Sequence, residues 1–161
     1  MKTLILLRHG KSDWSGAVPD HDRPINHRGR LAATQMAEWL AHEGLTPDYM
    51  LISSATRTLE TAERLGSVWG DVPRQVLDRL YLAEPDTIRD AVGAAGEGET
   101  LLVLAHNPGL ERAATLLANA DCPSQMPTCT AAVLRFDIAR WSDVAYGAGT
   151  LLHHVSPKSL G

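Results

Sequence analysis

Two short apolar segments constrain the fold of this chain more than any other feature of its sequence. Residues 3–7 and 101–105 are almost entirely apolar, which is typical of parallel strands that are buried on both faces of a sheet. Elsewhere, segments with the apolar spacing of helices alternate with shorter strand-like runs. This alternation predicts an α/β domain with a mostly parallel sheet. Because the chain has 161 residues and an ordinary domain has about 150, we expect one domain over residues 1–161.

The spacing of apolar and helix-capping residues predicts the remaining elements. Four helices are expected, over residues 28–43 and 54–69 and from Pro85 and Asn107 onward. Ser54 and Asn107 are the expected N-caps of their helices, and Pro85 suits a first helical turn. Further strands are predicted over residues 49–53, 75–77, 131–136 and 149–155, the last two of which suit an antiparallel arrangement.

The charge balance argues against one class of partner. The chain has 15 basic and 19 acidic residues and a net charge of −4, whereas non-specific nucleic-acid binding needs a basic face. No segment approaches the roughly 18 apolar residues of a membrane span, and the N-terminal apolar run is too short for a signal peptide. Cys122 and Cys129 fit neither a zinc nor a redox spacing, so we expect free thiols in a cytoplasmic protein without nucleic-acid or membrane partners.

The two buried strands end in similar polar turns. The first is followed by Arg8, His9 and Gly10, and the second by His106 and an Asn-Pro-Gly turn. Ligands bind at the carboxyl ends of the strands in an open parallel sheet, so we expect His9 and His106 on one rim. Gly10 permits a tight turn and the close approach of a ligand. The alternative is a surface turn with solvated polar side chains.

A third polar segment also follows a short strand and begins a helix, with Arg57 in the first turn. A cation is unfavourable there, and a bound anion would remove the conflict; the alternative is a solvated surface arginine. Together, Arg8, Arg57, His9 and His106 predict a phosphate pocket, because paired guanidinium donors match phosphate oxygens. Their charge would keep His9 neutral and able to attack phosphorus without a metal or cofactor.

These segments resemble the histidine phosphatase superfamily, which includes the cofactor-dependent phosphoglycerate mutases. The matching stretches are L-R-H-G-K-S-D-W at 7–14, D-H-D-R-P-I-N-H-R-G at 20–29, S-S-x-x-R-x-x-E-T-A at 53–62 and A-H-N-P-G at 105–109. They look most like the short bacterial SixA-type branch, which includes phosphohistidine phosphatases. The resemblance implies that His9 is transiently phosphorylated while Arg8, Arg57 and His106 hold the phosphoryl group. It also implies a three-layer α/β/α sandwich around a mixed, mostly parallel sheet.

Two positions depart from the mutase pattern. Lys11 and Ser15 stand where the mutases have Glu and Asn, and 161 residues leave no room for the insertions that form the mutase lid. The departures count against mutase activity. They suggest an open site that could admit a phosphorylated side chain of another protein.

The proton donor is the least constrained part of the predicted site. Glu84 is our candidate because it follows the apolar run 80–82, where the superfamily often supplies an acid; its alternative role is to cap a helix. Asp13 and Asp22 are second candidates. Asp22 beside Arg23 is expected to form an ion pair that braces the loop.

Three functions therefore remain open at this point. The leading one is metal-independent hydrolysis of protein phosphohistidine through His9, and the second is hydrolysis of a small phosphorylated metabolite. The third is a module that binds phosphate or a phosphoprotein without turnover. No metal site is expected, because the other histidines lack the spacing and the Glu partner of a zinc-binding helix.

Overall fold

A six-stranded sheet forms the centre of the molecule in a computed structural model that describes residues 1–96 and 98–160. The strands are β1 (Lys2–Arg8), β2 (Tyr49–Ser53), β3 (Arg74–Leu77), β4 (Thr100–Ala105), β5 (Ala131–Phe136) and β6 (Thr150–Val155). The helices are α1 (His27–His42), α2 (Thr56–Trp69), α3 (Pro85–Gly93) and α4 (Gly109–Leu117). These elements agree with the predicted ones to within a few residues at most ends.

The sheet is mixed and mostly parallel, as predicted. The strand order is β3-β2-β4-β1-β5-β6, and the first four strands in this order run parallel to their neighbours. Strands β5 and β6 form an antiparallel edge next to β1. The apolar runs of β1 and β4 therefore lie side by side in the middle, where both faces of a strand are covered.

Two helices cover each face of the sheet, which gives the three-layer α/β/α sandwich. Helices α1 and α2 pack against one face, where Ile5 and Leu7 point, and α3 and α4 pack against the other, where Leu4 and Leu6 point. Successive side chains of a strand face opposite sides of the sheet. One continuously apolar strand therefore contributes to both cores.

The register of the central pair determines where the polar turns lie. Strand β1 pairs with β4 so that Arg8 is opposite Ala105, and His9 and His106 follow at the same edge of the sheet. The turn after His9 packs closely on the start of α1: a Cβ atom on Gly10 would lie 2.7 Å from the carbonyl oxygen of Gly29. Glycine is required there by close backbone contact.

Two predicted helix caps are wrong. Helix α2 has Ala55 rather than Ser54 as its N-cap, and the Ser54 hydroxyl instead forms a hydrogen bond of 3.0 Å with His21. Helix α4 has Pro108 as its N-cap. The Asn107 amide donates instead to the Met126 carbonyl at 2.8 Å. The side chains of Ser54 and Asn107 therefore both form hydrogen bonds with residues that are distant in sequence.

The described residues include two free thiols and no membrane-spanning helix. Cys122 is half-buried and Cys129 is fully buried. No helix among residues 1–96 and 98–160 is both long and apolar enough to cross a membrane.

The first prediction concerns Gly109, where the backbone before α3 passes over α4. A Cβ atom on Gly109 would overlap the carbonyl oxygen of Ala83, so Gly109→Ala should lower the free energy of unfolding by about 1–3 kcal/mol, as overpacking does. Gly66 is the matched control, because a Cβ atom added there would lie 3.7 Å from the Arg74 guanidinium, which is an ordinary contact distance. Gly66→Ala should raise stability by up to about 1 kcal/mol. Urea unfolding followed by circular dichroism tests both, and equal effects would contradict the contact described.

Candidate active site

A cavity of about 380 Å³ opens at the carboxyl ends of β1 and β4. The four residues singled out in the sequence, Arg8, His9, Arg57 and His106, all line it. The other residues of its wall are Lys11, Ser12, Trp14, Arg23, Leu82, Asn107 and Thr128. Segments that are far apart in the chain thus meet at one edge of the sheet, where such sites are usually built.

His9 is held in a single tautomer, and its Nε2 atom accepts a long hydrogen bond from a cation. Its Nδ1–H donates to the Gly10 carbonyl oxygen at 2.7 Å, so Nε2 carries the lone pair and accepts from Arg57 Nε at 3.3 Å. Burial, together with the charges of Arg8, Arg57 and Arg23, lowers the pKa of His9 from 6.5 to about 4. His9 is therefore a neutral base with its lone pair available at neutral pH.

His106 lies beside His9, with their ring centroids 5.3 Å apart. The Nε2 atom of His106 is hydrogen-bonded to the Ser53 hydroxyl at 2.7 Å, whereas its buried Nδ1 has no partner among the described residues. Burial lowers the pKa of His106 to about 3, with the charges of His9 and Arg57 acting in the same direction. This imidazole is therefore also neutral at physiological pH.

Arg57 is fixed by contacts on every side of its guanidinium. Helix α2 carries it in its first turn, and it is 3% exposed. Its Nη1 donates to the Asp20 backbone carbonyl at 2.7 Å and its Nη2 to the Asp20 carboxylate at 3.1 Å, while Nε faces His9. The expected arginine at the start of the helix is therefore buried and oriented, in contrast to the alternative of a solvated side chain.

Arg23 is a pocket residue that the sequence interpretation missed. Its guanidinium donates to Asp20 from Nε and Nη2 at 3.1 and 3.0 Å and to the Ser12 hydroxyl at 2.5 Å. The Trp14 ring stacks on it, with the Arg23 Cζ atom 3.4 Å from the ring centroid. The predicted ion pair with Asp22 is wrong, because Arg23 pairs with Asp20 at spacing i,i+3; that spacing in a tight turn was the available signal.

Asp20 links two of the arginines to Tyr81, the residue before Leu82 of the cavity wall. Its carboxylate accepts from Arg23, Arg57 and the Tyr81 hydroxyl, which forms a very short hydrogen bond. The hydrogen bond from Tyr81 is the main reason that the pKa of Asp20 lies well below its usual range, and Arg23 and Arg57 add to it. Asp20 is thus ionised over the whole physiological range and holds two guanidiniums in place.

Arg8 approaches the cavity from the end of β1. Its Nη1 donates to the Met126 carbonyl at 3.2 Å, and its buried Nε has no partner among the described residues. Burial lowers the pKa of Arg8, and the nearby Glu111 carboxylate opposes this effect. Glu111 also accepts from the Met126 backbone and the Asn107 amide, at 2.9 and 3.0 Å, which ties this side of the cavity to α4.

The candidate proton donors lie outside the described wall of the cavity, although Asp13 and Asp22 directly precede the wall residues Trp14 and Arg23. Glu84 is exposed and is the N-cap residue of α3, with no capping hydrogen bond from its side chain. It is absent from the described wall of the cavity, as are Asp13 and Asp22. The exposed Asp13 accepts from the backbone and hydroxyl of Ser15 at 2.8 and 2.7 Å, and Asp22 lies 3.6 Å from His21.

The arrangement as a whole is suited to a tetrahedral oxyanion. Arg8, Arg23 and Arg57 line one cavity whose described wall contains no carboxylate, and guanidiniums bind phosphate oxygens with paired hydrogen bonds. Two neutral imidazoles lie between them, one with a lone pair and one with an unpartnered nitrogen. In the described part of the chain, no group of three or more His, Cys, Asp or Glu residues is placed to hold a metal ion.

Comparisons with known proteins agree with this geometry. Residues 4–81 match the model of the histidine phosphatase superfamily (branch 1), a segment that includes Arg8, His9 and Arg57. An uncharacterised protein of Mycobacterium tuberculosis is 32% identical over 162 residues, which span 94% of this chain and 100% of that protein.

Two solved structures extend the similarity over nearly the whole fold. A protein of Nakamurella multipartitia that is provisionally assigned as the phosphohistidine phosphatase SixA has a TM-score of 0.85 at 29% identity, covering 97% of this chain and 96% of that one. A protein of Agrobacterium tumefaciens with the same provisional assignment has a TM-score of 0.84 at 25% identity, covering 97% and 98%. The chain therefore belongs to branch 1 of the histidine phosphatase superfamily and has the architecture of its SixA-like members.

Proposed function

We propose that this protein is a phosphatase that removes the phosphoryl group from a phosphorylated side chain, foremost phosphohistidine, of another protein. The observation that carries the proposal is the state of His9: a neutral imidazole whose Nε2 lone pair faces a cavity lined by Arg8, Arg23 and Arg57. A phosphoryl group held by these guanidiniums would lie within reach of that nitrogen. The similarity to SixA-assigned proteins supports the same class of substrate.

The reaction has two displacements at phosphorus. In the first, the His9 Nε2 lone pair forms a P–N bond while the bond from phosphorus to the leaving group breaks, and the leaving group departs with that electron pair and takes up a proton. In the second, water attacks the phosphohistidine and gives a proton to the solvent, which balances the proton that the leaving group took up from the solvent. The P–N bond breaks, and its electron pair returns to Nε2. Inorganic phosphate leaves and the neutral imidazole is restored.

The arginines supply the electrostatic part of the mechanism. Negative charge spreads over the equatorial oxygens of phosphorus in the transition state, and preorganised cations stabilise it without reorganisation. Arg57 and Arg23 are preorganised by Asp20, and Arg8 lines the same cavity. We therefore propose that no metal ion is needed.

The rim of the cavity favours a protein substrate over a small metabolite. Trp14 and Leu82 line the cavity, yet they are 75% and 53% exposed. Exposed aromatic and aliphatic side chains around a functional cavity are typical of surfaces that contact another protein. A small metabolite would not cover them.

The nature of the leaving group determines how much Glu84 can contribute. The imidazole of phosphohistidine is a better leaving group than an alkoxide and needs less help from an acid. We propose a proton-donating role for Glu84 with ester substrates alone. With this role, Glu84→Gln should slow the release of phosphate from a sugar phosphate and leave its release from a phosphohistidine peptide unchanged.

We assign this activity to one cytoplasmic domain. Both apolar cores share the strands of a single sheet, which supports one folding unit over residues 1–161. Cys122 and Cys129 are free thiols, as is usual in a reducing compartment.

The first prediction for this function concerns the nucleophile. Wild-type protein should hydrolyse p-nitrophenyl phosphate in excess chelator, and His9→Ala should lower kcat at least about a thousandfold because no covalent intermediate can form. Quenching the wild type with detergent at alkaline pH, where the P–N bond of phosphohistidine is stable, after mixing with a 32P-labelled phosphoprotein should trap a labelled enzyme that His9→Ala lacks. His21→Ala, at a histidine outside the cavity wall, is the matched control.

The outcomes separate the remaining functions. Equal turnover by wild type and His9→Ala would refute the mechanism. Phosphate binding by both proteins with turnover by neither would indicate a binding module. Hydrolysis of sugar phosphates at the same kcat/KM as a phosphohistidine protein would refute the proposed substrate class.

The second prediction follows from the pKa of His9. Since burial lowers this pKa from 6.5 to about 4, kcat/KM should not fall as pH is lowered through 6.5, and its acid limb should lie near 4. The ionisation of the substrate is titrated separately. An acid limb near 6.5 that the substrate does not explain would contradict the assignment.

Folding stability, unlike kcat/KM, should decrease as the pH is lowered from 6.5 towards 4, so the experiment needs a control for unfolding. Unfolded His9 binds a proton near pH 6.5, whereas folded His9 binds it near 4. The unfolded state therefore holds more protons between these values, and stability decreases as pH falls through this window. Circular dichroism at each pH checks that the protein remains folded.

The third prediction concerns Asp20. Asp20→Asn removes the carboxylate shared by Arg23 and Arg57, so kcat/KM for p-nitrophenyl phosphate should fall about tenfold, which corresponds to about 1.4 kcal/mol of lost positioning. Asp22→Asn is the matched control on the same turn, because Asp22 pairs only with His21 among the described residues. Equal effects of the two variants would refute the positioning role.

A further inference from the structure

We propose that a second cavity, next to the candidate active site, binds an acidic segment that flanks the phosphorylated residue of the protein substrate. This basic cavity has a volume of about 540 Å³, and its charged residues are Lys11, Arg28 and Lys158. The inference names the partner's chemistry beyond the phosphoryl group, and it rests on the proposed function for the existence of a phosphoprotein substrate.

The basic cavity and the catalytic cavity share part of their walls. Lys11 and Thr128 line both of them, and Lys11 lies two residues after His9 in the chain. A polypeptide that presents a phosphorylated side chain to His9 could therefore lay its neighbouring residues across the basic cavity. A monophosphate confined to the catalytic cavity would leave the basic cavity empty.

The three cations come from separate parts of the fold and form no salt bridge with any residue that the structure describes. Lys11 follows β1, Arg28 lies in the first turn of α1, and Lys158 lies in the C-terminal 3-10 turn Pro157–Leu160. All three are exposed. No carboxylate of residues 1–96 and 98–160 forms a salt bridge with any of them. Their positive charge is therefore available to a ligand.

The surroundings of these cations add to the attraction for an anion. The whole chain has a net charge of −4, so three cations around one cavity, none of them in a salt bridge with a described residue, are a local exception. Arg28 lies at the positive end of the α1 dipole, which adds to its charge. The first turn of α1 contains no acidic residue that would offset either of them. Carboxylates of a docked segment would relieve both sources of repulsion and speed encounter with the enzyme.

Apolar surface on the same side of the molecule favours a peptide as the source of the anionic groups. The remaining wall of the basic cavity includes Ala32, Pro127 and Pro157, which can contact the aliphatic parts of a peptide. Trp14 and Leu82 lie exposed on the neighbouring catalytic cavity. Charged groups joined by apolar backbone and side-chain atoms match this combination.

The test compares two phosphohistidine peptides that differ in three flanking residues, Asp in one and Asn in the other. Wild-type kcat/KM should be about tenfold higher for the acidic peptide at low ionic strength, since two or three exposed ion pairs contribute modestly each. In the double variant Arg28→Gln/Lys158→Gln the ratio should fall to about twofold. High salt should have the same effect on the wild type.

A matched variant removes the same amount of charge elsewhere. Arg112 and Arg140 are exposed and line neither of the two cavities, so Arg112→Gln/Arg140→Gln should keep the tenfold preference. Equal loss of preference in both double variants would mean that net charge alone acts, and would overturn the proposal. A wild type without preference for the acidic peptide would also overturn it.

A binding measurement keeps this inference separable from the proposed function. Isothermal titration with the unphosphorylated acidic peptide should detect binding to the wild type and the Arg112/Arg140 control, and severalfold weaker binding to the Arg28/Lys158 variant. If neither phosphopeptide is hydrolysed, the proposed function fails, and this titration still decides whether the basic cavity binds acidic peptide. A charge dependence seen with a hexose bisphosphate and with neither peptide would assign the cavity to a second phosphate and overturn the proposal.

Discussion

The parallel pairing of β1 with β4 is the interaction on which the rest of the structure depends. Both strands are apolar on both faces, so their side chains form the centre of both helix-covered cores. The same register places Arg8 opposite Ala105, and the next residue of each strand is a histidine. Hydrophobic burial has no preferred direction, but the hydrogen-bonded register of the sheet does. The register therefore places the rings of His9 and His106 5.3 Å apart.

The parts of this structure that could be predicted are those written in local sequence patterns. Apolar periodicity identified the strands and helices. The positions of His9, His106 and Arg57 at the ends of those elements were enough to predict that the three side chains lie close together. The links of Asp20 to Arg57 and Tyr81 could not be found in this way, because those partners lie 37 and 61 residues away along the chain. The wrong N-caps, Ser54 and Asn107, have the same cause: their side chains bond to distant segments that no local propensity encodes.

The electrostatics of the site reflect a balance between burial and charge. Burial and neighbouring cations both keep His9 neutral, while the cations themselves lose hydration by lying inside the fold. An isolated buried charge is costly, and Arg57 is 3% exposed. Asp20 offsets this cost for Arg57 and Arg23 from the cavity's edge, where its own carboxylate stays hydrated. The arginines thus stay ordered in the absence of ligand.

Trp14 gives the molecule an optical reporter of its own. Its indole stacks on the Arg23 guanidinium at the cavity rim while remaining 75% exposed, whereas Trp141 is buried and Trp39 and Trp69 are half-buried. Fluorescence from an exposed indole is red-shifted and accessible to aqueous quenchers, so its emission can be separated from that of the other three. Occupancy of the cavity, and the rate at which oxyanions enter and leave it, can thus be followed in unlabelled protein by stopped-flow fluorescence.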